Sequence, residues 1–137
     1  MKKYDVGYTT GVFDLFHVGH LNILKKSKEL CNFLIVGVST DELVQSYKQK
    51  IPVIPLEDRM KIVESIKYVD MVVVQDTMDK IVAWNNLKFN VMFHGDDWKG
   101  KPLWNEYEEK FKMVGVDLVY FPYTKKTSST KLKQILI

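Results

Sequence analysis

Phe33-Leu34-Ile35-Val36-Gly37-Val38 is the stretch on which the fold turns. A nearly continuous apolar run this short reads as a strand buried on both faces, the kind a parallel sheet contains. Upstream of it, the apolar residues Leu21, Ile23, Leu24 and Leu30 recur at helical spacing, predicting a helix over Val18–Leu30 with Lys25, Lys26 and Lys28 turned outward. Before that helix, Tyr4–Tyr8 is rich in β-formers and gives way to a turn signal at Thr9-Thr10-Gly11. Downstream, Thr40-Asp41-Glu42 opens a short helical turn, and the segment from Ser46 to Pro55, with two prolines, reads as a loop. Further strands are predicted at Met71–Val74, buried like the second, at Val91–Phe93 and at Leu118–Phe121. Helices are predicted at Glu57–Ile66, with Met60, Ile62, Val63 and Ile66 inward, and at Asp79–Leu87, Leu103–Met113 and Ser128–Leu136. Five short apolar strands alternating with helices imply right-handed βαβ units: a doubly wound, five-stranded parallel sheet with helices on both faces. Residues 1–137 read as a single domain.

Composition narrows the function. A chain that is 46% hydrophobic and 27% charged is ordinary for a soluble globular protein. Its formal net charge of +3 tolerates anionic ligands but does not make the strongly basic face of a nucleic-acid binder. The lysine-rich tail from Lys125 to Lys133 lacks interleaved aromatics, so no nucleic-acid partner is expected. Cys31 is the single cysteine, which excludes an intrachain disulfide and a four-thiolate metal site. No apolar signal follows Met1-Lys2-Lys3 and no run approaches a membrane span, so a cytoplasmic protein without a membrane partner is expected.

Sheets of this kind bind ligands at the carboxyl ends of their strands, where the winding reverses. The unusual residues sit there. Thr10 to His20 follows the first strand, His94 to Gly100 the fourth, and Tyr123 to Thr130 the fifth. In Gly11-Val12-Phe13-Asp14-Leu15-Phe16-His17-Val18-Gly19-His20, Gly11 permits a sharp turn and close approach of a ligand. His17 and His20, three apart at a helix start, can lie on one side of the first turn, where exposed amides and the helix dipole favour an anion. Gly19 leaves room beside them for a phosphate. The stretch is neither a Walker A loop nor a dinucleotide fingerprint. Read as a zinc pair, the histidines lack a third ligand cluster beyond His94.

His17-Val18-Gly19-His20 resembles the HxGH signature of the nucleotidyltransferase superfamily, which is Rossmann-like in fold. Three further segments resemble its cytidylyltransferase branch. Lys67-Tyr68-Val69-Asp70 is similar to RYVD, Gly95-Asp96-Asp97-Trp98-Lys99-Gly100-Lys101 to GDDWEGK, and Ser128-Ser129-Thr130-Lys131 to STTK. Size and spacing bring the resemblance nearest to the glycerol 3-phosphate cytidylyltransferases, over nearly the whole chain.

That resemblance implies transfer of CMP from CTP to a small phosphorylated alcohol, with release of pyrophosphate. It implies that His17 and His20 bind the triphosphate and stabilise the transition state, within a pocket formed by Thr10, Gly11, Val12, Phe13, Asp14 and Gly19. Asp14 would order that loop, and Lys48 and Lys50 would act catalytically by contacting the phosphates from a loop that closes over them. Arg59, Lys67, Gly95, Asp97, Trp98, Tyr123, Thr124, Ser128, Ser129 and Thr130 are implied to bind the nucleotide. Mg²⁺ is expected with CTP, held by triphosphate oxygens and water rather than by a protein metal site. A homodimer is implied as well. Two departures stand out: Lys67 replaces an arginine and loses its two-pronged grip on phosphate, and Tyr123 and Lys126 replace an arginine and a glycine of RTEGIST. An adenylyltransferase using ATP and a non-catalytic nucleotide-binding module are the competing readings.

Overall fold

The computed structural model describes residues 2–96 and 99–122. Along the chain these form β1 (Tyr4–Gly11), α1 (Val18–Leu30), β2 (Cys31–Ser39), α2 (Asp41–Lys48), α3 (Leu56–Glu64), β3 (Met71–Gln75), α4 (Lys80–Leu87), β4 (Val91–Gly95), α5 (Pro102–Met113) and β5 (Asp117–Phe121). The strands make one sheet in the order β3-β2-β1-β4-β5, and each neighbouring pair is parallel. This is the doubly wound, Rossmann-like sheet predicted from the sequence. The chain winds from β1 out to β3, then returns past β1 to β4, so the reversal falls between β1 and β4. The predicted helix over Ser128–Leu136 lies outside the described residues.

Alternation along the strands divides the core in two. Leu34, Val36, Val38, Val91 and Phe93 face α1 and α3, packing with Leu24 and Val63. Tyr8, Ile35 and Met92 face α4 and α5, packing with Phe89, Trp104, Tyr107 and Phe111. Trp104 is thus a core residue. Gly37 is required by a close approach: a Cβ there would lie 2.5 Å from the Tyr8 hydroxyl.

Several local expectations are corrected. β1 runs on through Thr9, Thr10 and Gly11, because pairing of Gly11 with Val38 carries the ladder past the turn signal. α2 continues to Lys48, so Ser46, Tyr47 and Lys48 are helical and the loop starts at Gln49, which ends the helix in the left-handed region (φ 57°). β3 is an edge strand, leaving Met71 and Val74 exposed, and Phe33 is exposed at the amino end of β2. Ile62 is exposed as well, whereas Arg59 on α3 is fully buried. Lys28 does not simply point outward. Its ammonium meets the Asp70 carboxylate and also donates to Asn32 O at 2.7 Å.

Candidate active site

The loop from β1 to α1 is shaped by its aromatics. Phe13 and Leu15 hold positive φ values, 54° and 50°, which side chains rarely adopt and which cluster at functional sites. This backbone folds the Phe13 ring back over Gly11, where an added Cβ would lie 2.9 Å from a ring carbon. Gly11 is therefore glycine because Phe13 occupies the space a side chain would need. Phe13 and Phe16 in turn pack on the His20 ring, with centroids 5.4 and 5.3 Å away.

The two histidines cap α1 reciprocally. His17 Nδ1 accepts the Gly19 amide at 3.0 Å, and His20 Nδ1 accepts the His17 amide at 3.2 Å. The pair takes the place of the Ser/Thr and Glu of an ordinary capping box. Their rings stack with centroids 4.0 Å apart. Burial lowers the pKa of His17. It pushes His20 down to about 4, helped by the charges of His17 and Lys48 and opposed by Asp14. Both rings are thus neutral at pH 7 with Nδ1 committed as acceptor, so each proton sits on Nε2. His17 Nε2 is buried and finds no partner among the described residues. The helix start therefore presents imidazole N–H donors of fixed tautomer beside its own amides.

The neighbouring loops are tied to this one. Asp14 is buried, and its carboxylate accepts the Val53 and Ile54 amides at 2.8 and 2.9 Å. It orders not only its own loop, as expected, but also the segment that follows Lys48 and Lys50. Those two lysines are exposed at and just past the end of α2, and His20 feels the Lys48 charge. Arg59 differs from the nucleotide contact expected of it. Its guanidinium donates to Ile54 O, Val12 O and Ser39 O, each at 2.8 Å, and pairs with Asp41 at 2.5 Å. With no exposed surface, it binds four segments of the protein and has none left to offer a nucleotide.

Lys67 is also misplaced by the sequence reading. It lies between α3 and β3, at the amino edge of the sheet, opposite the edge that carries residues 12–20. Within the same tetrapeptide, Asp70 accepts the Leu34 amide at 2.8 Å and pairs with Lys28, so this segment fastens β2, α1 and β3. Thr10, Gly11 and Gly95 fall at the carboxyl ends of the adjacent strands β1 and β4, Val12, Phe13 and Asp14 in the loop that follows β1, and Gly19 in the first turn of α1. Asp97, Trp98, Tyr123, Thr124, Ser128, Ser129 and Thr130 lie outside the described residues.

The sequence reading missed Lys80. This first residue of α4 is 3% exposed and donates to Thr10 Oγ1 at 3.2 Å. Burial pushes its pKa down to about 8, and its charge helps lower that of His94 to about 4, after burial itself. A signal was present: Lys80 stands four and seven residues before Trp84 and Leu87, on the apolar stripe of its helix.

A parallel sheet whose reversal point opens a helix on two neutral, donor-bearing imidazoles defines a class, the α/β nucleotidyltransferases. Within it the chain belongs to the cytidylyltransferase-like family, whose model matches residues 8–135. It is 36% identical to glycerol-3-phosphate cytidylyltransferase of Bacillus subtilis (strain 168), across 98% of this chain and 96% of that one. It is also 36% identical to FAD synthase of Pyrococcus abyssi (strain GE5 / Orsay), across 92% and 86% of the two chains. Among solved structures, the lipopolysaccharide core biosynthesis protein of Thermoplasma volcanium GSS1 superposes with a TM-score of 0.73 at 26% identity, covering 90% of this chain and 99% of that one. The chain is thus a nucleotidyltransferase by family. No helix among the described residues is long and apolar enough to cross a membrane.

Proposed function

We propose that the protein transfers CMP from CTP to a small phosphate monoester, best glycerol 3-phosphate, giving a CDP-alcohol and pyrophosphate. The observation that carries this reading is the reciprocal histidine cap, which keeps Nε2–H of His17 and His20 as donors at an anion-favouring helix start. A phosphate monoester is anionic near neutral pH, so its oxygen attacks the α-phosphorus without a strong general base. The bond to the bridging oxygen of the β-phosphate breaks as the new P–O bond forms. Charge then grows on the oxygens of the leaving pyrophosphate, and neutral imidazole donors oppose it without having to give up a proton. Lys48 and Lys50 add positive charge from the α2 end, and Thr10, Gly11, Val12, Phe13, Gly19 and Gly95 are proposed to bind the nucleotide, together with those residues named from the resemblance that lie outside the described ones. Mg²⁺ would be brought by the triphosphate and would offset the charge on its oxygens. The Asp14 carboxylate already accepts two amides, so the ion's remaining ligands are best supplied by phosphate oxygens and water.

A second reading is favoured by one comparison. The match to an FAD synthase has the same identity as that to the glycerol 3-phosphate enzyme. FAD is also a nucleoside monophosphate joined to a phosphate monoester, so transfer of AMP from ATP by the same chemistry is the alternative. A homodimer is part of the proposal, supported by exposed Val18 on α1 and Phe33 on β2, and sedimentation would test it. The reaction is tested by pyrophosphate release with CTP or ATP, Mg²⁺ and a panel of phosphate monoesters. Release with CTP and glycerol 3-phosphate is the expected result. Release with ATP alone would move the protein to adenylyl transfer, and none with any pair would remove the catalytic reading.

A further inference from the structure

On the α4 side of the sheet, Gly37 leaves a gap in the row of side chains. Ile35, Gly37 and Ser39 share that face of β2, and Gly37 and Ser39 pair with Val73 and Gln75 of β3. With no side chain at Gly37, the Tyr8 ring of β1 reaches across, and its hydroxyl would stand 2.5 Å from a Cβ there. Between the edge strand β3 and α4 lies a pocket of about 200 Å³, walled by Val73, Val82, Ala83 and Leu87, with Tyr8 and Gln75 at its base. Neither the histidine cap nor Thr10, Lys80 or His94 lines it.

The base is polar, and its hydrogen-bonding groups are unspent. Gln75 is 6% exposed, and its Oε1 accepts from Ser39 Oγ at 2.8 Å. Both N–H groups of that amide are without a partner among the described residues, as is the hydroxyl of Tyr8, which is 2% exposed. Burial raises the Tyr8 pKa, so the phenol keeps its proton and donates. Buried polar groups nearly always find a partner, and donors gathered at one pocket call for an acceptor atom. Among the described residues no lysine or arginine lines the pocket, and Asp76 stands exposed in its lining, which disfavours an anion. A cavity of about 150 Å³ takes benzene, so this one has room for a single ring with a small substituent.

We propose that this pocket binds a small uncharged carbonyl compound, one ring in size, whose oxygen accepts from Tyr8 and Gln75. The site lies apart from the edge that carries residues 12–20 but is joined to it. Gln75 O accepts the Thr40 amide at 3.0 Å, and Thr40 Oγ1 caps α2, the helix that ends at Lys48. A ligand held by Gln75 therefore bears on the element that carries Lys48.

The test is NMR of the wild-type chain with acetophenone as the probe and toluene and benzoate as controls. Acetophenone should move the Val73, Val82 and Leu87 methyls and the Gln75 side-chain amide saturably, with a Kd on the order of 1 mM. Toluene offers no acceptor and benzoate brings a charge toward Asp76, so each should bind at least about fivefold more weakly. Tyr8→Phe keeps the ring that stacks on Phe89 and removes one donor. It should weaken acetophenone roughly 3- to 10-fold and leave toluene unchanged. Equal affinity for toluene would reduce the site to an apolar groove, and an unmoved Gln75 amide would also overturn the proposal. Methyl shifts that follow dilution of the protein without probe would give this face to a second copy instead, with the same consequence. The readout is independent of turnover: wild-type protein inactive with every substrate pair would defeat the proposed reaction and leave this site to be judged by binding alone.

Discussion

His17 and His20 each use Nδ1 to end a helix and keep Nε2 for chemistry, and substitutions can separate the two uses. His17→Ala removes both: the cap, at about 1 kcal/mol of stability, and a donor worth on the order of 10² to 10³ in turnover. His17→Asn is the more informative change, because an asparagine oxygen caps helices well but cannot reach where Nε2 reaches. Chemical denaturation should find this variant within a few tenths of a kcal/mol of wild type, while turnover with saturating substrates falls nearly as far as in the alanine variant. Turnover near wild type in the asparagine variant would reduce His17 to a cap. Both histidines were legible in the sequence as residues of an anion site, from their spacing at a helix start. Their tautomer was not, because it depends on which amides the folded loop turns toward each ring.

At the scale of elements, Arg59 connects what the sequence shows only as separate loops. From α3 it reaches the end of β1 at Val12, the end of β2 at Ser39, the start of α2 at Asp41 and the segment before α3 at Ile54. Arg59→Met would leave three carbonyls without their donor and the Asp41 carboxylate unpaired, a loss on the order of 3 kcal/mol. Arg59→Lys should recover little, since one ammonium cannot span acceptors arranged around a planar guanidinium. Urea unfolding measures both, and a loss below about 1 kcal/mol would mean the loops are held by other means, such as Asp14. Helices and strands were legible because burial on alternating or 3.6-residue patterns leaves a sequence trace, as at Leu34–Val38 and Val18–Leu30. Arg59 and Lys80 were misread or missed for one reason. Each stands on the apolar stripe of its helix, Arg59 three residues after Leu56 and four before Val63. A charge on such a stripe is easily counted as surface when its partners, as far as 47 residues away for Arg59 and 70 for Lys80, are unseen. Lys67 was misplaced because motif similarity says nothing about which edge of the sheet a loop occupies.

For the whole molecule, the neutral state of its histidines makes stability depend on pH in a defined direction. The chain has three histidines, and the fold lowers the pKa of each: His17 through burial, His20 and His94 to about 4, chiefly by burial. The unfolded chain takes up the His20 and His94 protons near pH 6.5, whereas the folded one refuses these two until about pH 4. Between those values the unfolded state binds more protons, so stability falls as pH falls and the histidine contribution levels off below about 4. From pH 7 to 5, His20 and His94 should each remove roughly 2 kcal/mol, with a further loss from His17. Most carboxylates have yet to titrate over that interval, which leaves the histidines as the main source of the slope. Urea unfolding at half-unit steps of pH would measure it, and His94→Gln, which cannot take up a proton in either state, should flatten it by about the share of one histidine. A stability that stays level from pH 7 to 5 would mean the imidazoles protonate within the fold, and a protonated His17 or His20 would lose the Nδ1 acceptor on which the cap of α1 depends.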